Sequence, residues 1–208
     1  MTHLEAQNIT VVIRERKIIQ EVSLSAMPGQ ITALTGVSGS GKSTLLATLG
    51  LLVTPTSGKV TIDGHDTSPW PEKKRAQFWA QKAAFIYQDY GTLTDETVGA
   101  NVTLSDRDFK RNRQTVEEAL TQVGLEGRSL EPATVLSGGE KQRLGIARAL
   151  YKRADVLYAD EPTASLDHHN SQLIYDLLRK RADAGATVLV ATHDDWLISR
   201  CDAVYQLP

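Results

Sequence analysis

Cysteine is all but missing from this chain of 208 residues: Cys201 stands alone. No internal disulfide can form, nothing near Cys201 has the spacing of metal ligands, and a reducing compartment with a packing role for the thiol follows. Long apolar runs are missing as well. No window approaches the roughly 20 apolar residues of a spanning helix, and the opening MTHLEAQNIT lacks the basic-then-apolar pattern of a secretion signal. A soluble chain is expected, so any role at a membrane has to be borrowed from a partner. Charge of one sign is missing too: 23 basic and 25 acidic residues are mixed along the chain for a net charge of −2, which leaves no electrostatic footprint for wrapping nucleic acid. Aromatic residues make up only 6%, and residues 1–27 contain no Phe, Trp or Tyr.

The length suits one buried core with a small subdomain, hardly two full domains. Residues 4–34 alternate apolar and polar side chains in short bursts around the turn at Pro28 and Gly29, which predicts three strands. The glycine-rich run 36–41 follows at once, and KSTLLATLGLL then places leucines at helical spacing. GKVTIDG reads as another strand. From residue 71 to about residue 125 the texture turns charged and helical, with Val116, Ala119, Leu120 and Val123 on one face. Residues 138–150 read as a helix, DVLYAD as a short apolar strand, 168–184 as a helix with Leu173, Ile174, Leu177 and Leu178 inward, and TVLVAT as a second apolar strand. Helices alternating with apolar strands predict an α/β fold with a mostly parallel sheet covered on both faces. One domain is expected, its core drawn from about 1–87, including an N-terminal antiparallel β subdomain, and 152–208, with a helical subdomain over about 88–151.

GVSGSGKST carries the first chemical signal. Gly36, four residues, then Gly41, Lys42 and Ser43 give the GxxxxGK[ST] spacing of a phosphate-binding P-loop, placed between a predicted strand and a predicted helix as the motif requires. Glycines let backbone amides close on a polyphosphate, and the helix N-terminus adds its partial positive charge. Lys42 is expected to reach the β and γ phosphates and the Ser43 hydroxyl to ligate Mg2+. Ser38, Gly39, Ser40 and Thr44 line the rest by amide and side chain. The dinucleotide pattern GxGxxG fails, because Thr44 stands where its third glycine belongs. The ligand read from these residues is a nucleoside triphosphate.

Asp160 and Glu161 end the strand in VLYADEP, and strand C-termini in such sheets face the ligand crevice. Asp160 is expected to hold the magnesium and Glu161 to polarise the attacking water as general base. An acidic turn capped by Pro162 would be the plain reading of the pair alone; the phosphate loop overrides it. His193 follows the second apolar strand at the same edge, where a neutral imidazole could bond a γ-phosphate or the water attacking it. Gln88, in FIYQDYG, ends another predicted strand, and its amide can ligate magnesium or be an ordinary surface group.

LSGGE at 136–140 has no base, metal ligand or nucleophile pair, yet it precedes the helix EKQRLGIARAL. Ser137 as cap and donor, with the amides of Gly138 and Gly139, makes a second anion cradle at a helix N-terminus. One triphosphate does not need two cradles on one chain. The second is expected to serve the nucleotide of another copy, so that two chains sandwich two nucleotides about a twofold axis.

The phosphate loop, Gln88, LSGGE, VLYADE at 156–161, SLD at 165–167 and His193 together resemble the ordered motif set of the ATP-binding-cassette ATPases, over nearly the whole chain. That resemblance implies dimerisation on ATP, hydrolysis at two shared sites, and use of the stroke to drive an integral membrane permease from the cytoplasmic face of the membrane. It also implies that Gln88 couples magnesium to the partner, that Asp167 communicates across the dimer, and that His193 is the switch histidine. Within the family, TLLATLGLLVTPTSGKVTIDG, DETVGANV and YADEPTASLD are most similar to ATPase subunits of macrolide-export, lipoprotein-release and peptide-export systems. Two other readings stay open: a cassette that drives a cell-envelope machine without moving substrate, and a soluble relative acting on nucleic acid, for which tandem cassettes, a heptad insertion or basic patches would be expected. One departure concerns the base: the family usually has an aromatic residue near Ile13 to stack on adenine. Arg14 or Arg16 could stack instead, or the base is held loosely and GTP is tolerated. The partner contact is expected between Gln88 and about Leu125, at Tyr87, Tyr90 and TLTDETV.

Overall fold

The structure, a computed structural model, describes residues 2–87, 91–164 and 166–207. In chain order it forms β1 (Leu4–Ile13), β2 (Arg16–Ala26), β3 (Ile31–Thr35), α1 (Lys42–Leu49), β4 (Ser57–Ile62), β5 (His65–Asp66), α2 (Glu72–Gln81) and β6 (Ala83–Ile86). It continues with α3 (Val98–Thr103), α4 (Asp106–Arg111), α5 (Arg113–Gln122), α6 (Gly138–Lys152), β7 (Val156–Asp160), α7 (His168–Asp183), β8 (Thr187–Ala191), α8 (Asp195–Ile198) and β9 (Ala203–Gln206). β1, β2, β4 and β5 make an antiparallel sheet in the order β2-β1-β4-β5. The second sheet, β6-β7-β8-β3-β9, is parallel throughout.

The parallel strands are apolar on both sides because both faces are covered. Every residue of β3 and β8 is buried, the pattern of a strand between two layers. Successive side chains then enter different cores, as the strand period of two requires. Leu157, Ala159, Val188 and Val190 join α5, α6 and α7 on one face. Val156, Tyr158, Leu189 and Ala191 join α1 and the antiparallel sheet on the other.

The helical texture beginning at residue 71 divides at β6. Phe78 of α2 sits edge-on to Trp70 at 6.2 Å and packs into the core shared with the antiparallel sheet. The helices of the opposite face begin with α3, where Val98 and Val102 meet Phe109, Val116 and Leu120. Charged surface residues give α2 the same texture as those helices; its one buried aromatic decides its side.

Register positions the functional strand ends. Leu34 pairs with Ala191, and Ala191 with Asp160. The loops leaving β3, β7 and β8 therefore start at one level on the carboxyl edge of the sheet, where open α/β sheets bind ligands.

Candidate functional site

The loop after β3 is shaped by residues that an L side chain would disturb. Gly41 has φ 93°, and a Cβ there would stand 2.6 Å from Ile19 Cδ1 and 3.0 Å from the Ile18 carbonyl oxygen. At Gly36 a Cβ would lie 2.7 Å from Ser40 Oγ. The loop thus closes tightly and delivers Lys42 to the first position of α1. That helix start has no side-chain cap and no acidic residue in its first turn, so its orphan N–H groups and partial positive charge remain for an anion. Lys42 is buried and its Nζ donates to the carbonyl oxygens of Gly36 (2.9 Å) and Val37 (3.2 Å). Ser40 Oγ is buried inside the loop without a protein partner. A polyphosphate fits this donor set, which offers amides, an ammonium and an orphan hydroxyl.

Across the sheet edge, Ser43 Oγ donates to Asp160 Oδ1 at 3.0 Å. Burial pushes the Asp160 carboxyl above the usual carboxylate range, and neighbouring Glu161 adds to that; the Ser43 bond and the Lys42 charge oppose it. A half-buried carboxylate beside a hydroxyl suits a hard divalent cation.

Glu161 takes φ 46°, inside the left-handed region, and its N–H donates to Ala191 O at 2.8 Å. This strained conformation turns the carboxylate toward the end of β8. There Thr192 Oγ1 donates to Oε2 at 3.0 Å and His193 Nδ1 meets Oε1 at 2.7 Å. With Glu161 ionised, Nδ1 is the donor, because a carboxylate only accepts. The carboxylate is 11% exposed and the imidazole 75%: one is held, the other reachable.

Together these residues wall a cleft of about 600 Å³ lined by Ile18, Gly36, Val37, Ser38, Gly39, Gly41, Lys42, Ser43, Thr44, Glu161 and His193. Neither Arg14 nor Arg16 is among its walls, and the aliphatic surfaces offered to a base are Ile18 and Val37. Sequence reading directs His193 at a phosphate or a water; in the structure its Nδ1 is bonded to Glu161. Thr192, fully buried, was missed, although a threonine directly after an apolar strand and before the histidine was its signal. Thr163, in the turn that follows Glu161, is buried and donates to Asp194 Oδ2 at 2.9 Å, and Asp194 caps α8. Gln88, Tyr90 and Ser165 lie outside the described residues.

The other predicted residues do not enter this cleft. Ser137 caps α6 in a complete capping box: its Oγ accepts from Glu140 N at 3.3 Å, and Glu140 Oε2 accepts from Ser137 N at 2.8 Å. The other oxygen of Glu140 pairs with Arg128 Nη1 at 2.5 Å. Ser137 and Gly138 are exposed. Asp167 caps α7, accepting from Asn170 N at 2.8 Å, and this amide above all holds its carboxyl below the usual range.

A parallel sheet with a glycine-rich phosphate loop on β3 and a carboxylate pair at the end of β7 defines a P-loop nucleoside triphosphatase. The sequence model described as ABC transporter matches residues 19–164, and the chain belongs to that family, as its ATP-binding and ATP-hydrolysing cassette. It is 39% identical over 208 residues to the lipoprotein-releasing system ATP-binding protein LolD 1 of Caulobacter vibrioides, covering 95% of this chain and 89% of that one. It is 36% identical to the ABC transporter ATP-binding protein YtrE of Bacillus subtilis, covering 93% and 86%. The macrolide export ATP-binding/permease protein MacB of Salmonella choleraesuis is also 36% identical, over 91% of this chain but only 30% of that longer protein. Among solved structures, the dimeric MJ0796 cassette superposes with a TM-score of 0.89 at 30% identity, covering 98% of this chain and 94% of that one. MJ0796 bound to ADP and Pi after hydrolysis gives 0.87.

Proposed function

We propose that this cassette works as a twofold homodimer in which each ATP lies between the phosphate loop of one copy and the Ser137–Gly138–Gly139 turn of the other, powering an integral membrane permease of the lipoprotein-release or macrolide-export type. One observation carries the dimer: Ser137 and Gly138 are exposed and line no part of their own chain's cleft, so they are free to complete a second one. The likeness to dimeric MJ0796 supports the same arrangement. The likeness to LolD 1 and MacB supports the class of permease.

Each residue then has a part. The loop amides and Lys42 bind the β and γ phosphates, with Ser38, Gly39, Ser40 and Thr44 completing the cradle. Ser43 and Asp160, with Gln88, would hold Mg2+, which supplies charge neutralisation on the phosphates when bound. Glu161 accepts the proton of the attacking water, its carboxylate aimed by Thr192 and His193. Asp167 carries the state of one site to the other.

As the ATP-binding partner of a permease, the chain would sit peripherally at the cytoplasmic face; among the described residues no helix is long and apolar enough to cross a membrane. A groove of about 570 Å³ along the edge strand β6 suits a helix of the permease, with Trp79, Phe85, Tyr87 and Leu104 as its apolar wall and Arg148 and Lys152 at its side. TLTDETV is not part of that groove. It turns back onto α3, where the buried Asn101 side chain bonds both backbone groups of Leu93.

Glu161→Gln tests the reading. Loss of a general base lowers hydrolysis by about 10²- to 10⁴-fold, while nucleotide binding persists and a Mg-ATP dimer accumulates in light scattering. A variant that hydrolyses at the normal rate removes Glu161 from its role. One that stays monomeric at high concentration, with the Ser137 turn open to solvent in hydrogen exchange, removes the sandwich.

A further inference from the structure

Arg143 lies on the second turn of α6, the helix headed by the Ser137 turn, and Asn170 on the first turn of α7, the helix capped by Asp167. Arg143 Nη1 donates to Asn170 Oδ1 at 2.6 Å. The amide nitrogen of Asn170 donates to both oxygens of Asp167, at 3.0 and 2.9 Å. A guanidinium only donates and a carboxylate only accepts, so the amide is fixed in one orientation between them. A flipped amide would set donor against donor and acceptor against acceptor. Beside this chain, a Cβ at Gly139 would come within 3.3 Å of Leu166 Cδ2, so the two loops also touch through packing.

From this geometry we propose that Asn170 is a positioning residue that, through Arg143, ties Asp167 to the Ser137 helix, so that the two elements one copy presents to its partner move as a unit. The inference rests on the sandwich dimer and on the role given there to Asp167. Neither Arg143 nor Asn170 lines the nucleotide cleft. Their effect therefore belongs in the step after nucleotide binding: kcat falls while the affinity of the single chain for ATP stays unchanged. Only an amide at position 170 serves both neighbours. Aspartate keeps the acceptor for Arg143 but sets a second carboxylate against Asp167.

The test compares Asn170→Ala, Asn170→Asp, Arg143→Ala, the Arg143→Ala/Asn170→Ala double variant and Asp167→Ala in the full chain, reading kcat, KM, ATP affinity and melting temperature. Expected are a roughly five- to twentyfold lower kcat for Asn170→Ala and for Asn170→Asp, unchanged ATP affinity and melting temperature, and a double variant no worse than the poorer single one, since coupled residues are not additive. Normal kcat in Asn170→Asp, or fully additive single effects, would mean a plain α6–α7 tie and would overturn the positioning role. Normal kcat in Asn170→Ala beside an impaired Asp167→Ala overturns the inference alone. Normal kcat in Asp167→Ala overturns both it and the role assigned to Asp167.

Discussion

The loops at Gly36–Gly41 and Ser137–Gly139 both end on the start of a helix, yet their helices are finished differently. The start of α1 has no side-chain cap and no acid in its first turn, and Lys42 folds back on its own loop. The start of α6 has a full capping box, an acid in its first turn, and Arg128 closed over that acid. Sequence reading makes both of them anion cradles and gives the second to the nucleotide of another copy. The first keeps its amides and its charge for a ligand; the second has spent part of both on itself, and what it still presents is a Ser137 hydroxyl hydrogen and glycine amides at the surface. The first is finished as an anion site in its own right; in the dimer proposed above, the second completes a site that the loop of another copy has filled.

Ser137→Arg breaks that division of labour most strongly. An exposed cap replaced by a long cation blocks the approach of a partner's loop while leaving the cleft alone. Sedimentation in Mg-ATP should show monomers only, and hydrolysis should drop by two orders of magnitude or more, to the level of an unassembled site. Equilibrium dialysis should return the original affinity for ATP.

Lys42→Ala attacks the other side. Hydrogen bonds to a charged group contribute about 1.5–3 kcal/mol, so ATP affinity should fall by roughly 10- to 100-fold, measured by titration calorimetry on the monomer. If affinity held while dimerisation was lost, the two loops would have exchanged roles.

Much of this contrast was legible beforehand. The GxxxxGK[ST] spacing, the apolar strands around Asp160 and His193, and the two core faces follow from local periodicity, because a strand covered on both sides must be apolar throughout. What stayed hidden depends on register between distant segments. Thr192 reaches Glu161 across 31 residues, and Arg143 reaches Asn170 across 27; no local pattern encodes either contact. Ile18 was hidden for a related reason: its place in the cleft follows from Gly41 packing against β2, not from anything in its own neighbourhood. Texture alone could not separate α2 from the helices of the opposite face, because surface charge looks the same on both.

The base end of the cleft gives a smaller effect. Ile18 and Val37 offer contact without hydrogen bonds, and apolar contacts discriminate between similar ligands by less than about 100-fold. GTP should therefore be hydrolysed with a kcat/KM within that range of ATP's in direct competition. A preference of a thousandfold would mean that a polar group beyond these two side chains reads the base.

Glu140→Gln changes least and sharpens the comparison most directly, since it makes the start of α6 more like that of α1. Glutamine carries no charge and has one acceptor oxygen where Glu140 uses two, so it keeps the bond from Ser137 N or the one from Arg128, not both. The pair with Arg128 is partly exposed, at 26% for each side chain, so stability at neutral pH should drop by less than about 1 kcal/mol. The backbone amide of Ser137 foremost, then Arg128, hold the Glu140 carboxyl below its ordinary 4.5, with burial opposing. A carboxyl lowered by folding stabilises the native state above its unfolded pKa, and that contribution is lost as pH falls through the folded value. Melting temperature should therefore decline more steeply below about pH 5 in the original chain than in Glu140→Gln. With one negative charge fewer at this helix start, the ATP dimer should tighten by about two- to fivefold, the scale of a helix-end charge. A weaker dimer in sedimentation would mean that the Glu140–Arg128 pair holds the shape of the turn, and that shape outweighs charge where the two copies meet.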